Sequence, residues 1–195
     1  MDVARQRRRH CYAVDVSTGA EDVELRLLRA AVNSPERQLA GFISKFSPDV
    51  ARIARAARSR VRKLLPAAFE LVYDNYNALA LAYGPSVRTS EVVLSLALYP
   101  RWVSLFFARG ATLPDPAGIL RGSGNQMRHV VLGGAEDLDG EPLRALIEAA
   151  VATHPKAFGS GRGRTVIKAV SSKQRPRRPS KPRGRPGRRS LAARA

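Results

Sequence analysis

Residues 91–110, EVVLSLALYPRWVSLFFARG, decide the fold class. Glu91 to Tyr99 is β-branched at its start and alternates in its second half, and Pro100 breaks it. Trp102 to Phe107 is a second apolar run, closed by Gly110. Two short runs with tight punctuation between them predict neighbouring antiparallel strands. The same grammar extends outward in both directions. Upstream, Phe69–Tyr73 and Ala78–Tyr83 predict strands, the latter stopped by Gly84-Pro85. Downstream, Met127–Leu132 predicts another, ended by Gly133-Gly134.

Helical periodicity flanks this block. Ser34-Pro35-Glu36 is a helix-start signal, and Leu39, Phe42, Ile43 and Phe46 then share one face. Ser47-Pro48-Asp49 repeats the signal for a helix running to about Leu65, with an apolar stripe of Val50, Ile53, Ala57, Val61 and Leu64. Gly140-Glu141-Pro142 opens a last helix with Leu143, Leu146, Ile147 and Ala150 on one face. Helices segregated from strands give an α+β domain: a small antiparallel sheet with helices at both ends of the chain segment. Its expected bounds are 34–154, with a leader over 1–33 and a disordered basic tail over 155–195.

Charge separates these regions. The chain has 195 residues, 34 Lys+Arg against 16 Asp+Glu, a net charge of +18 and 44% hydrophobic residues. The leader holds 6 basic and 5 acidic residues and the body 14 and 11, but the last 41 residues hold 14 basic and none acidic. Like charge repels and extends a segment with few apolar residues. Clustered Lys and Arg also displace counterions from nucleic acid, which makes a polyanion the expected partner of the tail; solubilisation is the plainer alternative. Anionic lipid would attract the same charge, but the tail has too few apolar residues to insert.

One Cys allows no internal disulfide, and no apolar run approaches the roughly 18 residues a membrane span needs. Arg7, Arg8 and Arg9 are not followed by a signal-peptide core, and Asp15, Glu21, Asp22 and Glu24 argue against a transit segment. The expected location is the cytoplasm, in association with a bacterial nucleoid. Val23, Leu27, Leu28 and Ala31 have helical spacing in the leader, whereas His10 and Cys11 lack a third ligand for a metal.

Within the tail, KPRGRPGRR spans 181–189. The core Arg183-Gly184-Arg185-Pro186, flanked by Lys181, Arg188 and Arg189, resembles an AT-hook. Glycine lets the backbone approach the minor-groove floor, and narrow A·T-rich grooves attract the flanking guanidiniums. In the body, Arg52, Arg55, Arg58 and Arg62 occupy one side of the second helix, either as an ordinary solvated face or as a phosphate-contacting surface.

Residues 113–132, LPDPAGILRGSGNQMRHVVL, resemble the signature stretch of the YdhG-like domain family, a family of unknown function. The preceding RWVSLFFARG and the opening helices from Ser34 to Pro66 resemble the family too, so the likeness covers roughly 35–152. It implies a frataxin-like α+β fold and, as a second functional reading, an intracellular iron-binding or iron-chaperone module. The acidic cluster Glu136, Asp137, Asp139 and Glu141 would be the natural iron ligands; equally, it complements the dipole of the last helix. Read from the residues, the same loop gives a rigid turn at Asp115 and a Gly-permissive turn over Arg121, Gly122 and Gly124. Its N–H groups, with Arg121 and Arg128, would suit an anion or other ligand; His129 sits in the following strand. The alternative is a strand connection that needs glycine for its geometry. No Gly-x-Ser-x-Gly elbow, His-Glu-x-x-His helix or P-loop occurs, so the expectation is a non-enzymatic protein with no cofactor, iron apart.

Overall fold

A computed structural model of the protein describes residues 34–179. The leader, including His10 and Cys11, and the AT-hook-like residues 181–189 lie outside the described residues.

Helix α1 spans Pro35–Ser44, with the Ser34 hydroxyl accepting from the Arg37 backbone N–H at 3.3 Å. Helix α2 spans Pro48–Leu64, with Asp49 in its first turn and Arg62 and Lys63 in its last, as its dipole favours. Five strands follow, interrupted by short 3₁₀ turns: β1 Phe69–Asp74, β2 Leu79–Gly84, β3 Leu94–Leu98, β4 Val103–Phe107 and β5 Arg128–Leu132. Helix α3 covers Glu141–Ala152, and a sixth strand, β6, covers Thr165–Val170. No helix among the described residues is long and apolar enough to cross a membrane.

The α+β class holds, with one correction. Strands β1 to β5 form an antiparallel meander, but β6 pairs parallel to β1, giving a six-stranded mixed sheet of order β5-β4-β3-β2-β1-β6. Residues 165–170 therefore belong to the domain and not to a disordered tail beginning at 155. The reason is local. Thr165-Val166-Ile167 is a β-branched run that suits a pleated surface. The body also supplies buried carboxylates, Glu70 and Asp74, to receive the cations around the strand.

Strand alternation divides the sheet into two faces. Val72, Leu79, Leu81, Leu96, Leu105 and Phe107 point to the helices and join Leu39, Ile43, Val50, Ala54 and Val61 in one core. Burying such a side chain contributes about 1.5–3 kcal/mol. The inward row of α2 is Val50, Ala54, Ala57 and Val61, and Leu64 lies 36% exposed. The helix is thus rotated slightly from the expected stripe, and its alanines let the backbone approach the sheet closely.

Candidate functional site

Two charged residues occupy inward positions on β1, and both organise the chain around them. Glu70 is 1% exposed. Arg58 of α2 donates to its two oxygens from Nε and Nη2 at 2.8 and 2.7 Å, a bidentate geometry. The Tyr83 hydroxyl donates to Oε1 at 2.8 Å, and Arg62 reaches Oε2 at 3.4 Å. Burial and the neighbouring Glu70 carboxylate push the Tyr83 phenol well above its ordinary value, so it stays a donor. Thr165 Oγ1 lies 2.6 Å from both Glu70 and Glu36, and its single proton serves one carboxylate at a time. Glu36, from the first turn of α1, also pairs with Arg58 and Arg62. Two carboxylates and two guanidiniums balance, and the cluster ties α1, α2, β1, β2 and β6 together.

Burial alone would raise the Glu36 carboxyl. Hydrogen bonds from Thr165, Arg58 and Arg62 outweigh it and bring the group down to about 2. A carboxyl lowered on folding stabilises the protein above its unfolded value of about 4.5, and that contribution is lost as pH falls toward about 2. Melting temperature should therefore drop on acidification through this window. Glu36→Gln should show a shallower drop than the parent; parallel pH profiles would refute the coupling.

This cluster floors an open cleft of about 1100 Å³ between α1, α2 and the loop 159–162. Besides Glu36, Arg58 and Arg62, the cleft is lined by Arg55, Lys63 and Arg162. Arg55, Lys63 and Arg162 have no ion pair among the described residues, and neither has Arg52 one helical turn upstream. With Ser59 between them, Arg52, Arg55 and Lys63 form an exposed row along α2. Gly163 fixes the loop: its N–H donates to the Pro66 carbonyl at 2.8 Å, and a Cβ there would sit 1.8 Å from the Ala68 carbonyl oxygen.

Asp74, also 1% exposed, organises the opposite end of β1. It accepts from Lys45 Nζ at 3.1 Å, Gln174 Nε2 at 2.6 Å and Arg177 Nη2 at 2.8 Å. Arg177 is 5% exposed, also bonds the Asn75 carbonyl, and lies 5.5 Å from the Phe46 ring centre. Arg178 then reaches the carbonyls of Ser44, Lys45 and Phe46. Residues 171–179 thus run back to the α1–α2 turn, and the chain leaves the described region beside the start of α2.

The loop residues singled out from sequence do come close to one another. Asp115 accepts from the backbone N–H of Ile119 and Leu120 at 3.1 and 2.8 Å. Gly122 has φ +111°, a left-handed conformation that favours glycine. Arg121 and His129 form a backbone bridge with bonds of 2.8 and 2.9 Å, and the Arg128 guanidinium bonds the carbonyls of Gly124 and Met127. Gly124 lies at the open tip, where a Cβ would meet nothing. Such an arrangement is that of a strand connection: the best-placed cation faces backbone carbonyls.

Two of the four acids around the start of α3, Asp137 and Asp139, are likewise occupied. Asp137 accepts from Gly133 N–H at 2.7 Å, and Asp139 pairs with Arg60 at 2.8 Å. No group of three or more His, Cys, Asp or Glu among the described residues is disposed to hold a metal ion. Glu36, Glu70, Asp74, Thr165, Arg162 and Arg177 were not singled out from sequence. The available signal was a carboxylate at each end of the apolar strand FELVYD, on the parity that faces the helices.

Comparison with protein families, with curated proteins and with solved structures returns no match.

Proposed function

We propose that this protein is a non-enzymatic nucleic-acid-binding protein that engages DNA electrostatically. The C-terminal basic residues act as one contact and α2 as a second. One observation carries this reading: Arg52, Arg55, Lys63 and Arg162 lack carboxylate partners among the described residues and lie along one helix and its adjoining loop. The chain departs toward its last basic residues beside the same helix. Six more cations, among them Lys181, Arg183 and Arg185, follow residue 179 with no acid between them. Arg183-Gly184-Arg185-Pro186 adds a mild preference for A·T-rich minor grooves. Association with a nucleoid follows from the same charge. Glu36 and Glu70, the two carboxylates that converge, are both neutralised by guanidiniums, which favours binding over acid–base catalysis. A frataxin-like, YdhG-like architecture is part of this proposal, supported by the order of two helices, a meander and a helix.

The test compares the full chain with a chain ending at residue 179, on A·T-rich and G·C-rich duplexes across a salt series. Losing six cations should reduce the salt slope by up to about 5 and weaken low-salt binding by roughly tenfold or more. Replacing Arg52, Arg55 and Lys63 by Gln should reduce the slope by a further 2–3 or so. Unchanged affinity and slope in both variants would overturn the proposal. Loss without base preference would remove the hook and leave the electrostatic arm.

A further inference from the structure

The face of the sheet turned away from the helices has an unusual composition. A solvated antiparallel face normally carries charged and hydroxylated side chains in alternation. Here the outward positions of the six strands hold no carboxylate at all. Its middle is made of small, mostly buried residues, Ala80 and Ala82 on β2, Ser95 and Ala97 on β3, and Ser104 on β4, beside the fully buried Leu71 of β1. Aromatic rings flank this floor. Phe106 and His129 are cross-strand partners on this face and stack with ring centres 5.0 Å apart and an interplanar angle of 26°. Two residues beyond Ala97 and two before Ser104 come Tyr99 and Trp102, on the same parity. They stack at 5.1 Å and 25° in the β3–β4 turn, which Tyr99 N–H closes on the Trp102 carbonyl.

Trp102 is 43% exposed and Phe106, His129 and Tyr99 are half-buried, so ring surface is open to solvent. Phe106 lies four residue steps along the chain from Trp102, which places the two stacks about 13 Å apart. Exposed cations border them: Arg101 beside Trp102 and Arg121 paired to His129 along the sheet edge. Aromatic platforms bordered by cations suit unpaired bases, because every base has a π-face to stack and a phosphate to neutralise. A second copy of this chain would instead bring its own charge of +18 against the same cations.

We propose that the outward sheet face binds single-stranded DNA, with bases stacking on the Tyr99–Trp102 and Phe106–His129 pairs. This rests on the nucleic-acid reading above and refines it. The contact is separate from the α2 row and the C-terminal arm, which neutralise phosphates on either single or double strands.

Trp102 is the sole tryptophan of the sequence, so its fluorescence reports on this face alone. The test titrates the full chain with an oligothymidine of about 20 nucleotides, and with a duplex of equal length. Saturable quenching by the single strand, absent with the duplex, is the expected result. Trp102→Leu and Phe106→Leu, each confirmed as folded by its melting curve, should weaken single-strand affinity by roughly 5- to 100-fold and leave duplex affinity unchanged. The chain ending at 179 should keep the quench at low salt. Binding of the single strand with unchanged Trp102 emission, and with both variants at parental affinity, would overturn this inference and leave the electrostatic reading standing. Absence of any nucleic-acid binding would overturn both. Equal quenching by the duplex, tenfold tighter binding of oligouridine, or emission set by protein concentration or by deletion of residues 1–33 would each reassign the face and overturn the proposal.

Discussion

Glu70→Ala is expected to destabilise the protein by about 3–5 kcal/mol, the cost of removing one partner from a buried ion pair. Two penalties combine. The Tyr83 hydroxyl, on a side chain 1% exposed, loses its acceptor at 2.8 Å, worth about 1–3 kcal/mol for a buried donor left unpaired. The Arg58 guanidinium loses both bidentate contacts and keeps the half-exposed Glu36 and a 3.3 Å bond to the Thr165 hydroxyl. Thr165, which anchors β6, loses one of its two carboxylates. Glu70→Gln keeps an acceptor for Tyr83 and should cost roughly half as much. Urea unfolding of the two variants beside the parent measures both values. A Glu70→Ala midpoint equivalent to less than about 0.5 kcal/mol would place Glu70 among ordinary surface positions and refute the account.

Ending the chain at residue 164 should be more damaging still, whereas ending it at 179 should leave the melting temperature essentially unchanged. The shorter chain loses β6, which pairs with β1 from Glu70 to Asp74. Strand β1 becomes an edge whose backbone donors and acceptors are unpaired, in the middle of an apolar run. Glu70 and Glu36 lose the Thr165 hydroxyl, and Asp74 loses both Arg177 and Gln174. Against a total stability of order 5–15 kcal/mol, these losses should leave the shorter chain unfolded or aggregated. Circular dichroism melts of both truncations decide the matter. A cooperative melt of the 1–164 chain within about 5 °C of the parent would show that β6 is dispensable.

The boundary of the domain was the point at which charge misled. Fourteen basic and no acidic residues after 154 describe a segment that repels itself, and composition alone reads it as extended throughout. What composition omits is the destination of those charges. Arg177 is buried against Asp74, about a hundred residues earlier in the chain, and no local pattern links the two. The β-branched run at Thr165 was visible, but six residues with one Lys are too short a signal against such a background. The cleft was hidden for a similar reason. Arg55, Arg58 and Arg62 read as one basic helix side, yet Arg58 and Arg62 are neutralised by Glu36 and Glu70 while Arg55 is not.

By itself the sequence determined the elements: where α1, α2 and α3 start, which apolar runs are strands, and that most of the surplus charge lies toward the carboxyl end. Those features are set by neighbours within a few residues, through capping, alternation and turn chemistry. Only the tertiary structure decided which cations are consumed by folding and which remain free, which strand closes the sheet, and which aromatic rings share its outer face. Each of these depends on pairings between residues distant in sequence. A carboxylate or a π-surface has no partner written beside it in the chain, and its role is fixed only when packing brings one within a few ångströms.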